Sequence, residues 1–312
     1  MSLIADLPLG HSRLRLGLQH VVFVDRHARK RRPMNLCPST HHELTHADPA
    51  PSIDQSVFVR WLFDKAGLNV NHYSQQTLRR RIHACLRSLH VGSCSEARRV
   101  LESSPRLIPV AISALVIGVT SFFRDAPVFD CLRETFVGHQ EWQRTGFRIW
   151  SAACSDGSEL YSVAMLLADA GLLHRAQLLG TDCRPDAIVL ARNGIYSAST
   201  MRTVDPAILR RYFHFESAGY RIAGPLRQAT QWRAANILSD PEPGKWNVIL
   251  CRNMAMYLKP EVAGALWRQL ESLLVPGGLL ILGKAERPGG TRLSMVAPCV
   301  YRLGPRIMHH MK

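Results

Sequence analysis

From Phe147 onward the chain alternates short apolar runs with helical stretches, and no other feature restricts its fold so tightly. Phe147 to Ala152 reads as a strand, Leu160 to Leu167 as a helix, and Gln177 to Thr181 as a second strand ending at Asp182. Asn247 to Cys251 is a third strand. Pro276-Gly277-Gly278 turns sharply into a fourth, Leu279 to Leu282, and Val300 to Leu303 closes the series. Such alternation predicts a doubly wound α/β sheet. Residues 212–232 break the rhythm: Phe213, Phe215, Tyr220, Ile222 and Trp232 around Gly219 and Gly224 predict a small antiparallel β-insertion.

Upstream, from Ile53 to about Val137, the periodicity is helical. Val57, Trp61 and Leu62 suggest one apolar face, and Leu78, Ile82, Cys85, Leu86 and Leu89 another. Arg79, Arg80, Arg81 and Arg87 fall on the second of these helices, either as a solvated face or as a docking surface for an acidic helix. The expected layout is a helical domain over 53–137, an α/β domain over 138–305 and a short tail over 306–312. Two domains suit 312 residues.

Residues 1–52 differ in texture. A basic run from Arg26 to Pro33 is followed by a His- and Pro-rich stretch. The composition reads as a disordered tail; a nucleic-acid or lipid patch, or translation from Met34 or a later codon, are the alternatives. His42-Glu43-Leu44-Thr45-His46 matches the zinc-protease pattern H-E-x-x-H. Pro38, Pro49 and Pro51 leave no room for the long helix that chemistry needs, so no metal site is expected. With 39 basic and 24 acidic residues the net charge is +15, which favours acidic or polyanionic partners without choosing among them. No stretch approaches the roughly 18 apolar residues of a membrane span; Leu107 to Val119, the densest run, reads as a buried helix. Eight cysteines show no Cys-x-x-Cys pair. The apolar residues near the N-terminus are interrupted by Asp6, His11, Arg13 and Arg15, which argues against a secretory signal. A reduced, cytoplasmic protein is the simplest expectation.

In open α/β sheets ligands bind beyond the carboxyl ends of the strands. Two features fall there. Ser151-Ala152-Ala153-Cys154-Ser155-Asp156-Gly157-Ser158-Glu159 is a small-residue turn between strand and helix, where a backbone can approach a ligand closely. It is not G-x-G-x-x-G and lacks the lysine of a phosphate-binding loop, which disfavours a nucleotide phosphate. Asp182, at the end of the next strand, is placed to accept hydrogen bonds from ribose hydroxyls. Each feature has a structural alternative: Asp156 with Glu159 as a capping-box pair, Asp182 as a helix N-cap. Together they fit S-adenosylmethionine (SAM), a cationic sulfonium with a zwitterionic amino acid, better than a dinucleotide.

Thr120-Ser121-Phe122-Phe123-Arg124-Asp125, Ser151 to Ser162, Gly180-Thr181-Asp182, Asn193-Gly194-Ile195-Tyr196, Cys251-Arg252-Asn253-Met254-Ala255-Met256-Tyr257 and Gly283-Lys284-Ala285-Glu286 occur in this order. In these blocks the chain resembles the CheR-type chemoreceptor glutamate methyltransferases, over roughly residues 55–304. The resemblance implies a helical N-terminal domain, a Rossmann-like SAM-dependent methyltransferase domain and a small β-insertion. It implies that Thr120 and Arg124 reach the cofactor, that Glu159 holds its methionine part and Asp182 its ribose, and that Asn236 and Ile237 line the adenine. It places Arg252 and Asn253 along the cofactor and Tyr257 near the transferred methyl, with Arg124, Arg252 and Tyr257 as the catalytic candidates. The implied activity is methyl-ester formation on chemoreceptor glutamates, leaving S-adenosylhomocysteine (SAH). Arg79, Arg80, Arg81 and Arg87 would face the acidic helices of the receptor.

Against the family pattern, Gly118 stands where Asn is usual, Asp156 replaces a small hydroxyl residue, Ser158-Glu159-Leu160 replaces Glu-Glu-Pro, and Gly283-Lys284-Ala285-Glu286 replaces Gly-His-Ser-Glu. These departures leave a catalytically degenerate SAM- or SAH-binding regulator as the rival reading. An RNA methyltransferase is a third, but no RRM or KH signature and no aromatic stacking platform is visible, so no nucleic-acid partner is expected. Small-molecule O-methylation is a fourth. The insertion is shorter than in relatives that bind a receptor's C-terminal peptide, so no such tether is expected. No membrane insertion is expected, and by resemblance the chain is a monomer.

Overall fold

The computed structural model describes residues 53–116 and 120–304. The basic run, the H-E-x-x-H segment, Gly118 and residues 306–312 lie outside the described residues.

Four helices come first: α1 (Ile53–Lys65), α2 (Gln75–Ser88), α3 (Cys94–Ser103) and α4 (Ile108–Leu115). Ser74 and Ser93 cap α2 and α3 by accepting from the backbone N–H of Thr77 and Glu96. Leu78, Ile82, Cys85, Leu86 and Leu89 are buried along α2 as their spacing predicts. The face of α1 is set differently. Val57 is exposed and Trp61 only half-buried, while Phe58, Val59, Leu62 and Phe63 enter the core. A run of Val-Phe-Val and Trp-Leu-Phe offers two overlapping apolar arcs, and packing selects the one with the larger buried aromatics. The apolar run after Leu107 is the short α4, which buries Ala111, Ile112 and Leu115. No helix among the described residues is long and apolar enough to cross a membrane.

There follow α5 (Ala126–Gly138), α6 (Gln140–Thr145), β1 (Phe147–Ala152), α7 (Ser158–Asp169), β2 (Ala176–Asp182), α8 (Pro185–Asn193), β3 (Ile195–Tyr196), α9 (Ala198–Met201), α10 (Pro206–Tyr212), β4 (Phe213–Glu216), β5 (Gly219–Ile222), α11 (Gly224–Ala229) and β6 (Thr230–Ala234). The chain closes with β7 (Trp246–Cys251), α12 (Pro260–Leu273), β8 (Leu274–Leu282), β9 (Leu293–Ala297) and β10 (Val300–Leu303). A seven-stranded sheet has the order β6-β2-β1-β7-β8-β10-β9. β6, β2, β1, β7 and β8 run parallel, and β10 lies antiparallel between β8 and β9. The order reverses at β1 and β7, so the loops that leave these strands open a crevice at their carboxyl ends.

The strands alternate between two cores. Trp150, Ile249, Cys251, Leu280 and Leu282 pack with α1–α4 and α12. Ile149, Val248, Leu250, Leu279 and Ile281 pack with α5, α7 and α8. Burial on both faces explains why these strands read as unbroken apolar runs. It also divides the helical segment 53–137: α5 packs against α7, on the face opposite α1–α4.

The small antiparallel sheet is β3-β5-β4. It draws its first strand from 195–196, while Trp232 lies in β6, paired with β2 in the large sheet. The antiparallel unit therefore ends before Gly224. Trp232 fills the space above Gly157 and Gly180, where a Cβ would overlap its ring, and this fixes the close approach of α7 to the sheet.

Candidate active site

The crevice is a cleft of about 810 Å³ including its open mouth. Four loops build it: the turn after β1, the turn after β2, residues 235–238 after β6 and residues 252–257 after β7. Thr120 and Arg124 add a fifth side. Thr120, Arg124, Glu159, Asp182, Asn236, Ile237, Arg252, Asn253 and Tyr257 all line this one cleft.

The backbone at the site is held in unusual conformations. Phe123, Asp125, Ala153, Ser155 and Asn253 have positive φ between 51° and 63°, and side chains adopt this region rarely and at a cost. The segment carrying Thr120 and Arg124 is pinned by its two phenylalanines. Phe122 is buried edge-on to Tyr196 and Phe213, and the Phe123 N–H donates to Ser162 Oγ at 3.0 Å. Tyr196 in turn donates its hydroxyl to the Asp156 carbonyl at 2.8 Å. Asn193-Gly194-Ile195-Tyr196 is thus a brace behind the site.

A chain of charges runs across the floor. Glu159 accepts from Ser151 Oγ at 2.9 Å and from Arg252 Nη1 at 3.1 Å. Arg252 Nη2 donates to Asp125 at 2.6 Å and to the Arg124 carbonyl at 2.9 Å. Asp125 also pairs with Lys284 at 2.7 Å. The Arg252 side chain is 3% exposed, and among the described residues its buried Nε has no partner. Burial alone would raise the Asp125 carboxyl. The hydrogen bond from Lys284 and the charges of Arg252, Lys284 and Arg124 outweigh it, and the carboxyl lies below its ordinary value.

Asp182 is held in a second network. It accepts from the N–H of Ser155 at 2.9 Å and from the N–H of Arg184 at 3.0 Å, while the Arg184 guanidinium forks onto both carboxylate oxygens. The bond to Arg184 N–H is the cap-like contact its position allows, but the carboxylate also faces the cleft. The capping-box alternative is not realised. Asp156 caps the start of α7 by itself, accepting from the N–H and hydroxyl of Ser158 at 3.0 and 2.6 Å, and Glu159 turns to Ser151 and Arg252. Burial pushes the Asp156 carboxyl up. Asp156 and Ser158, both departures from the pattern the resemblance implies, are thus partners in one local contact.

Glu286, for which sequence reasoning has no role, is buried and accepts from four backbone N–H groups, those of Asn253, Ala255, Met256 and Gly283, at 2.7 to 3.3 Å. These bonds clamp the loop that carries Arg252 and Tyr257. Gly283 lies so close to this clamp that a Cβ would sit 2.9 Å from both the Asn253 nitrogen and Glu286 Oε2. Glu286→Gln replaces one acceptor oxygen by a donor facing N–H groups. Each lost bond to the charged group is worth about 1.5–3 kcal/mol. The variant is expected to melt several degrees lower and to lose turnover more than tenfold, read by thermal unfolding and by initial rates.

Tyr73, Cys183, Arg184 and Met254 also line the cleft. Tyr73 comes from the helical region and bridges to Leu258; burial pushes its phenol well up. Arg184, two residues past Asp182, was visible as a charge but not as a partner.

The four arginines of α2 do not share one face. At 100° per residue, Arg80 and Arg87 align on the side opposite the buried row, and both are exposed, while Arg79 and Arg81 flank it, half-buried. Among the described residues no cluster of His, Cys, Asp or Glu is arranged to hold a metal.

A family model described as "CheR methyltransferase, SAM binding domain" matches residues 118–295, more than half of the chain. The chain belongs to the CheR methyltransferase family. Two relatives show how far the CheR likeness extends. The "Chemotaxis protein methyltransferase" of Salmonella typhimurium is 30% identical over 235 residues, 72% of this chain and 80% of that one. The protein of the same name from Vibrio parahaemolyticus is 29% identical over 269 residues, 82% and 95% of the two chains. SAM is accordingly the cofactor, and the cleft suits it. It has two carboxylates, a turn of small residues, a buried guanidinium nitrogen without a partner and no phosphate-binding loop.

Proposed function

We propose that this chain transfers the methyl group of SAM to glutamate side chains of chemoreceptors, forming methyl esters. The observation that carries this reading is the convergence of nine side chains, scattered from Thr120 to Tyr257, on one cleft with two acidic networks.

Asp182 would accept from the ribose hydroxyls, and Glu159, already oriented by Ser151 and Arg252, from the ammonium of the methionine part. Asn236 and Ile237 would flank the adenine, with Thr120 and Asn253 alongside. Bound SAM supplies an electrophilic methyl group on a sulfonium. The acceptor needs no strong base, because a glutamate carboxyl with a pKa near ~4.3 is ionised at neutral pH. The protein's task is alignment. Arg124 stands at the cleft to steer the incoming carboxylate. The Tyr257 phenol is raised by burial, against the opposing charges of Arg81 and Arg124, and so keeps its proton and can donate to the acceptor. Arg252, locked between Glu159 and Asp125, fixes both sides of the reaction. The product ester is base-labile, so the test is labelled SAM incubated with receptor-containing membranes. Volatile counts released by alkali are expected, and alkali-stable counts would refute carboxyl methylation.

We place the receptor's acidic helix against Arg80 and Arg87, with Arg79 and Arg81 at its margins. Exposed charges of this kind act mainly on encounter rate. Arg80→Glu with Arg87→Glu is expected to raise KM for receptor about tenfold or more and to leave the Kd for SAH unchanged. Equal KM values for the variant and the parent would remove the docking role.

A further inference from the structure

Beside the cleft, behind Tyr73, lies a second concavity of about 580 Å³ including its mouth, between α1, α2 and the residue that precedes α12. Its lining holds three cations, Arg60, Arg79 and Lys259, and no carboxylate. Among the described residues none of the three side chains has an ion pair or hydrogen bond. Arg98, Arg133, Arg184, Arg221, Arg233 and Arg292, by comparison, are each paired with a carboxylate. Three like charges around one hollow repel each other and concentrate counter-ions there. Part of the wall is different in kind. Val59, Leu78 and Ile82 are buried side chains that turn an apolar floor toward the hollow, and Tyr73 closes the side nearest the cofactor cleft.

We propose that this hollow is a binding site for a small organic phosphate, separate from the SAM cleft. The phosphate would sit among Arg60, Arg79 and Lys259, where cationic donors give short, charge-assisted bonds. The body of the ligand would lie on the apolar floor. A bare inorganic anion would leave that floor unused, and a neutral nucleoside would leave the cations unpaired. The site shares Arg79 with the margin of the proposed receptor-docking face, but it does not depend on which acceptor the enzyme methylates.

The test is calorimetry on the full-length protein saturated with SAH, so that the cofactor cleft is filled, with AMP, adenosine and orthophosphate as probes. AMP is expected to bind, with orthophosphate weaker and adenosine weaker still. Arg60→Ser with Lys259→Ser is expected to weaken AMP about tenfold or more, as for lost charge-assisted bonds, while the Kd for SAH stays unchanged and reports an intact fold. Four results would overturn the proposal: no heat from AMP, equal AMP affinity in the double variant, adenosine or orthophosphate binding as tightly as AMP, or a hexaglutamate peptide binding where AMP does not. The last would assign the hollow to an acidic protein partner instead.

Discussion

Arg252→Met is expected to abolish methyl transfer and to destabilise the fold by about 3–5 kcal/mol, the usual result of removing one partner from a buried ion pair. Two carboxylates depend on this guanidinium. Without it, among the described residues, Glu159 keeps Ser151 as its one donor and Asp125 keeps the mostly exposed Lys284. The Arg124 carbonyl loses its bond as well, so the segment that faces the acceptor loosens together with the floor of the cofactor site. The chemical and structural losses can be separated. Combining Arg252→Met with Glu159→Gln removes the stranded charge and should recover part of the stability but none of the activity. Thermal unfolding and single-turnover rates on the two single variants and the double variant measure this. Full stability in Arg252→Met would show that the network contributes little to the fold.

The second large effect is on the cofactor. Asp182→Asn keeps the size of the side chain but removes its charge. One oxygen becomes a donor that cannot accept from ribose and that faces the Arg184 guanidinium. Two hydrogen bonds to a charged acceptor, at about 1.5–3 kcal/mol each, correspond to a loss of roughly a hundredfold or more in SAH affinity. Calorimetry reads this directly. An unchanged Kd would mean that Asp182 serves only to anchor Arg184 and the Ser155 turn. The variant leaves Arg184 partly unpaired in a buried position, so its melting temperature should fall as well.

The large sheet was legible because its central strands are buried on both faces and therefore appear as continuous apolar runs. β6 and β9 escaped for the converse reason. They lie at the two edges of the sheet, and Thr230-Gln231-Trp232-Arg233-Ala234 and Leu293-Ser294-Met295-Val296-Ala297 carry polar or exposed residues that blur the pattern. The edge position of β6 also drew Trp232 into the predicted insertion. For the helical region, α2 was read correctly because its apolar positions are sparse, whereas α1 has too many to identify one face.

The site shows the same division. Asp182 stands out by its place at a strand end, whereas Glu159 and Arg252 are singled out only through the resemblance of their blocks to a known family. Glu286 could not be given a role, since its partners are backbone N–H groups, which carry no residue identity. Tyr73 reaches the cleft from a connection in the helical region, so only the packing of that region on the sheet brings it there. Arg184 turned out to be the partner of Asp182, a pairing that depends on how the start of α8 is aimed.

The transfer itself is tested most directly by mass spectrometry that locates the methyl group. Full-length protein is incubated with deuteromethyl SAM and a chemoreceptor cytoplasmic domain, and the receptor peptides are sequenced. The label is expected on glutamate side chains, lost on mild alkaline treatment and absent when Arg252→Met replaces the parent protein. Label on lysine, arginine or cysteine, or none at all from a protein that binds SAH, would contradict the assignment of carboxyl methylation to this cleft.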